Sequence, residues 1–263
     1  MRLRDAGFGA TVVFALFVLA ACHGLKNEHV DYKLNKPAID NLKSDTNTPQ
    51  MASLNEVALA QEYIRDGHYE VALDRLQRAV KLDPLSADAY TMLGLLYEKI
   101  NRPEQAEANY AKAVKLAPNK GDILNNYGAW MCRSGHPVEA DALFRSALND
   151  PFYKTPAVAI GNAATCALKA GKPGLAEAYY RQILTLNATD TSALQEMATL
   201  SYQRADYLRA RAFMERLLAT GNTTPDMLDL AASIEDKLGD ADGARGYRSR
   251  IASEFPQYVP GKN

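Results

Sequence analysis

Three cysteines and four histidines are the side chains of this 263-residue chain best suited to holding a metal or attacking a substrate. His23, His29, His68 and His136 are scattered, and none pairs with a cysteine at the separation a zinc site needs. No nucleophile can be matched with a base in a recognisable arrangement. The run "AGKPG" at 170–174 lacks the outer Gly and the Lys-Ser/Thr of a phosphate-cradling loop. "GDADG" at 239–243 lacks the spaced oxygen ligands and terminal Glu of a calcium loop. Both fit turns between helices. The chain is therefore expected not to be an enzyme, and to use no cofactor, metal or small-molecule substrate. A formal net charge of -1 without a basic stripe also argues against nucleic acid as a partner. The cysteines remain.

Cys22 closes an apolar segment. Arg2 and Arg4 precede a run from Ala6 to Ala21 that is almost wholly apolar or small, followed at once by His23, Lys26, Asn27 and Glu28. A spanning helix needs about 20 apolar residues, so the shorter run reads as a signal peptide. Leu19-Ala20-Ala21-Cys22 resembles the lipobox of bacterial lipoproteins, in which a peptidase cuts before a cysteine that already carries diacylglycerol. The resemblance implies that residues 1–21 are removed and that Cys22 becomes the acylated first residue. Three acyl chains would hold the membrane durably where one holds weakly. The Asp that signals inner-membrane retention is absent, since His23 follows the cysteine. The implied address is the outer membrane, lipid-anchored and facing the periplasm. Residues 22–52, polar and interrupted by Pro37 and Pro49, cannot bury enough surface to offset ordering entropy and read as a flexible tether.

The elements that follow are repetitive. "LAQEYIRDGHYEVALDRLQRAVKLDP" from Leu59 and "LGLLYEKINRPEQAEANYAKAVKLAP" from Leu93 are offset by 34 residues, with Tyr63/Tyr97, Ala72/Ala106, Ala79/Ala113 and Pro84/Pro118 in register. The pattern resembles the tetratricopeptide repeat (TPR). Units open at Ser53, Ala87, Gly121, Ala157, Thr191 and Pro225, with one two-residue insertion near Asn149 to Thr155. Position 20 is alanine throughout, from Ala72 to Ala244, where two helices must cross closely. Position 15 is Gly67, Asn101, Gly135, Gly171, Ala205 and Gly239. Gly and Asn suit the left-handed residue that ends a helix, so Ala205 marks a less regular turn. Helices of about 12 to 15 residues are marginal alone and must be stabilised by stacking. The fold class is thus all-α: a right-handed superhelical solenoid of six repeats over 53–258, with first helices lining a concave face and a tail at 259–263.

Concave positions of the first unit are Leu54, Val57, Gln61, Ile64 and Arg65, joined by Leu95 from the second. Leu54, Val57 and Ile64 fall on one helical face with no earlier repeat to cover them, so this face is a partner-binding groove, a surface over which the tether folds back, or ordinary core. Asp122, Val57 and Gln61 stand where a carboxylate clamp would need Lys and Asn, which favours an apolar or helical peptide. Cys132 and Cys166 sit on first helices of consecutive units. They form either a disulfide, closing a loop of about 33 residues for roughly 3 kcal/mol, or two buried thiols.

The segment "LNNYGAWMCRSGHPVEADALFRSALNDPFYKTPAVAIGNAATCALKAG", residues 124–171, is more particular than the generic pattern. Asn125, Asn126, Tyr127, Gly128, Cys132, Pro151, Tyr153, Asn162 and Cys166 resemble the characteristic run of the type IV pilus biogenesis lipoprotein family known as PilF or PilW, with Ala163-Ala164 departing from an expected Ala-Gly. That resemblance implies a pilotin: an outer-membrane lipoprotein that binds the secretin subunit of the pilus and promotes its localisation or oligomerisation, as twitching motility requires. A TPR lipoprotein adaptor in outer-membrane protein assembly or cell-wall maintenance is the alternative class.

Overall fold

The computed structural model describes residues 48–259. Cys22 and the segment read as a signal peptide lie outside the described residues. Twelve helices, and no strands, occur among the described residues, and they pair into six antiparallel hairpins. These are α1 (Pro49–Arg65) with α2 (Tyr69–Leu82), α3 (Ala87–Lys99) with α4 (Pro103–Leu116), and α5 (Gly121–Arg133) with α6 (Pro137–Leu148). They continue with α7 (Pro156–Lys169) and α8 (Pro173–Leu186), α9 (Thr191–Gln203) and α10 (Tyr207–Leu218), and α11 (Pro225–Leu238) and α12 (Ala241–Glu254). No described helix is long and apolar enough to cross a membrane.

Local chemistry explains the boundaries. The Thr48 hydroxyl accepts a hydrogen bond from the Met51 backbone N–H at 3.3 Å, with Pro49 in the first turn. Such a cap and proline start a helix, which is why α1 begins a turn before Ser53, inside the stretch read as tether. Pro103, Pro137 and Pro173 likewise open α4, α6 and α8. Turns within the hairpins share one geometry. Gly67, Asn101, Gly135, Gly171, Ala205 and Gly239 all adopt positive φ, and the next amide bonds back into the helix, as in His136 N–H to the Met131 carbonyl at 2.8 Å.

The fifth turn corrects the sequence expectation. Ala205 takes φ 60° and the Asp206 N–H reaches the Ser201 carbonyl at 2.9 Å, so the turn is regular and the alanine carries the strain. Left-handed backbone costs an L-residue about 1–2 kcal/mol, part of which glycine's larger unfolded-state freedom would offset. Ala205→Gly is therefore expected to stabilise the protein by about 0.5–1 kcal/mol, read as a higher urea midpoint with unchanged slope.

Packing follows the repeat register. Ala72, Ala106, Ala140, Ala176, Ala210 and Ala244 are fully buried where the helices of each hairpin cross. Large residues at position 24 set their own partners. A Cβ on Gly94 would lie 2.8 Å from the Tyr110 ring, and one on Gly128 would lie 2.9 Å from Phe144. Those two glycines are required because an aromatic ring occupies the space. Arg248, the last residue at that position, is exposed and pairs with Asp236, as suits the end of a stack.

Candidate functional site

First helices of consecutive hairpins line one face, side by side except at α7 and α9. Their exposed side chains change along it. In α1, Met51, Leu54 and Ala58 fall at i, i+3 and i+7, continuing into Gln61 and Arg65, and all are exposed. Half-buried Met92 and Leu95 extend the apolar strip onto α3. Arg65 pairs with Glu62 and Asp66, leaving a charged rim beside the apolar floor.

Val57 and Ile64 do not belong to this surface. They are 8% and 7% exposed and pack with Ala60, Leu76 and Leu93 in the core of the first two hairpins. Val57, Ala60 and Ile64 recur at i, i+3 and i+7, so the sequence spacing was that of the buried face of α1. Leu54, at 44% exposure, lies on the face toward solvent, with Gln61 and Arg65.

The centre of the face is amidic and tightly braced. Asn162 Nδ2 donates to Asn125 Oδ1 at 2.9 Å, joining α7 to α5, while Asn126 is exposed beside it. Tyr110, Tyr127 and Trp130 form a triangular cluster with ring centroids 5.9 Å apart, Tyr127 lying nearly parallel to each of the other two rings. Arg133 donates to Glu98 at 2.6 and 3.0 Å, and Lys120 reaches Asp88 at 2.6 Å, so ion pairs link hairpins two and three at both edges. Cys132 and Cys166 are disulfide-bonded, with Cα atoms 5.8 Å apart, within the reach such a bridge requires.

The two-residue insertion makes a loop between α6 and α7. Asp150 accepts the Gly121 N–H at 2.8 Å and the Phe152 N–H at 2.9 Å, and those two bonds hold its carboxyl below the usual carboxylate range. Tyr153 packs so closely on α5 that a Cβ on Gly121 would lie 2.7 Å from it. Phe152 projects from this braced loop at 86% exposure. A depressed carboxyl adds stability above its unfolded pKa that is lost as pH falls through the folded value. Asp150→Ala is therefore expected to speed amide exchange at Gly121 and Phe152 near neutrality and to remove part of the wild-type acid sensitivity below about pH 4. Hydrogen-exchange mass spectrometry across that pH range checks it.

Hairpins four and five differ from the rest. No Cα atom of α7 lies within 8 Å of one in α9, whereas every other consecutive pair of first helices comes that close. Position 27, alanine in the first three units (Ala79, Ala113, Ala147), is Ile183 at this junction, buried in one cluster with Ile160, Ala193 and Met197. A cavity of about 300 Å³ opens there, bounded by Val158, Gly161, Thr165, Tyr180, Ile183 and Asp190. Glu196 stands one turn from the cavity-lining Ser192 on the same face of α9. Burial raises its carboxyl pKa, and burial followed by the Glu196 charge raises that of Tyr180. Sequence reasoning missed this feature, although the exchange of alanine for Ile183 was visible in the aligned repeats. No group of three or more His, Cys, Asp or Glu able to hold a metal occurs among the described residues.

The tetratricopeptide-repeat family model matches residues 57–121. The type IV pilus assembly protein PilF of Pseudomonas aeruginosa is 28% identical over 200 residues, covering 76% of this chain and 79% of the relative. A crystal structure of PilW, described as a widely conserved type IV pilus biogenesis factor, has a TM-score of 0.67 at 30% identity, covering 78% of this chain and 94% of its own. A solved structure of P. aeruginosa PilF has a TM-score of 0.69 at 27% identity, with 80% and 95% covered. An all-α array of six hairpins with a repeat-family match, whose chain and backbone agree with these proteins over most of their lengths, belongs to the tetratricopeptide-repeat family of PilF and PilW.

Proposed function

We propose that this chain acts in type IV pilus biogenesis as a pilotin, an outer-membrane lipoprotein that holds the secretin subunit and promotes its localisation or oligomerisation. The observation that carries the reading is the apolar strip of Met51, Leu54 and Ala58 on the first helix, exposed among the described residues, in a chain similar to PilF and PilW. Exposed apolar surface rimmed by polar groups marks a protein-interaction site, and an amphipathic segment laid into such a groove is a standard mode of recognition. Lipidation of Cys22 would supply the address, and the strip would supply the grip. Nothing in the reading requires catalysis.

Two substitutions test it separately. Cys22→Ser is expected to leave the solenoid folded but to deplete secretin multimers from the outer membrane and to abolish twitching. Leu54→Asp with Met51→Asp is expected to abolish co-purification of secretin, with helical content unchanged because both side chains are exposed. Normal multimers and motility in the first variant, or full secretin capture by a folded second variant, would refute the proposal.

A further inference from the structure

We propose that the cavity between hairpins four and five is a pocket for a lysine or arginine side chain of the bound polypeptide, its stem lying between Ile183 and Tyr180 and its cation meeting Asp190 and Glu196. The inference deepens the reading of this face as a polypeptide groove, and it names one residue type that the bound segment carries.

Three observations converge. The first is the space itself, about 300 Å³, opened where α7 and α9 stand apart. The second is Gly161. It sits in the middle of α7 with no positive φ, where glycine costs roughly 0.5–1 kcal/mol relative to alanine. Unlike Gly94 and Gly128 it is not required by a neighbour, since a Cβ there would meet only Ile183 Cδ1 at 3.9 Å. Its missing side chain leaves the cavity open. The third is the polarity of the walls. No lysine or arginine lines the cavity, and neither carboxylate has a cationic partner among the described residues. One Asp190 oxygen accepts the Ala193 N–H at 2.8 Å as a helix cap. Burial raises the pKa of the Glu196 carboxyl.

Apolar walls leading to carboxylates suit an amphipathic cation, because the alkyl stem of Lys or Arg buries along the walls while its head finds acceptors. An acidic ligand would be repelled. A neutral apolar one would leave Glu196 further desolvated and unpaired, which is unfavourable. The hydroxyl of Thr165 and the amide of Asn162 at the rim can accept hydrogen bonds from a guanidinium or from the backbone that carries it.

The full chain in detergent, with methyl-labelled Ile183 and Val158, can be titrated with N-acetyl-arginine amide, N-acetyl-lysine amide and N-acetyl-norleucine amide. The two cationic probes are expected to shift both methyl resonances saturably, and norleucine amide is not. Glu196→Gln is expected to weaken arginine-amide binding about tenfold, the loss of one charge-assisted contact. Gly161→Leu is expected to abolish the shifts while leaving helical content unchanged and melting no lower, since leucine is the better helix former. Equal shifts from norleucine amide, unchanged affinity in Glu196→Gln, or retained binding in a folded Gly161→Leu would each overturn the pocket. Secretin capture by the same variants separates the two readings. No response to arginine amide with capture intact removes the pocket and leaves the pilotin, whereas arginine binding in a wild-type chain that captures no secretin removes the pilotin and leaves the pocket.

Discussion

Phe144→Ala is expected to lower the unfolding free energy by about 3–5 kcal/mol, the range for truncating a buried aromatic side chain. The ring is fully buried in a cluster with Ala140, Ile160, Ala163 and Ala164, joining the third hairpin to the first helix of the fourth. It also lies directly over Gly128. In a quasi-one-dimensional stack each hairpin is held mainly by its neighbours, so damage at a central junction uncouples the two ends. With the Cys132–Cys166 bridge reduced, the urea slope should fall with the midpoint as the single transition divides. Gly128→Ala supplies an internal control. It should destabilise the wild type, where its Cβ would meet the ring at 2.9 Å. In the Phe144→Ala background it should stabilise by about 1 kcal/mol, through helix propensity and partial refilling of the void. Additive effects of the two substitutions would contradict the packing described for this junction.

Reducing the Cys132–Cys166 disulfide should cost about 3–4 kcal/mol, the loop-closure value for its 34-residue separation. The bridge spans the junction that Phe144 packs, so its effect is local as well as global. In the oxidised protein hairpins three and four should melt together even when Phe144 is truncated; in the reduced protein they should separate. Urea titrations of wild type and Phe144→Ala, with and without reductant, measure this coupling. A shift below about 1 kcal/mol on reduction would show that the bridge adds little to a junction already held by packing and the Asn125–Asn162 hydrogen bond.

Much of the fold was legible in the chain because each hairpin is a local object. The alanine at position 20, the left-handed residue at position 15 and the proline opening several second helices act within a few residues of one another, so a 34-residue period exposes them. The Asn125-Asn126-Tyr127-Gly128 run also had a reading in the sequence, and each of its members has a task in the structure: a bridge to Asn162, an exposed amide, a stacked ring, and room for Phe144.

What lay beyond the sequence was the rotation and spacing of one hairpin against the next. The helical period places Val57 and Ile64 together, but only the position of α2 and α3 decides that this face is core and that Met51, Leu54 and Ala58 meet solvent. Ala205 illustrates the same limit on a smaller scale, since the surrounding hairpin imposes a backbone that its side chain disfavours. The gap between α7 and α9 likewise falls where Ile183 replaces the alanine of earlier units and packs with Ala193 and Met197 of the next repeat. Periodicity along a chain records which side chains share a helical face; which face is buried, and how far apart two helices stand, depends on volumes summed across a junction, and only the folded structure brings those volumes together.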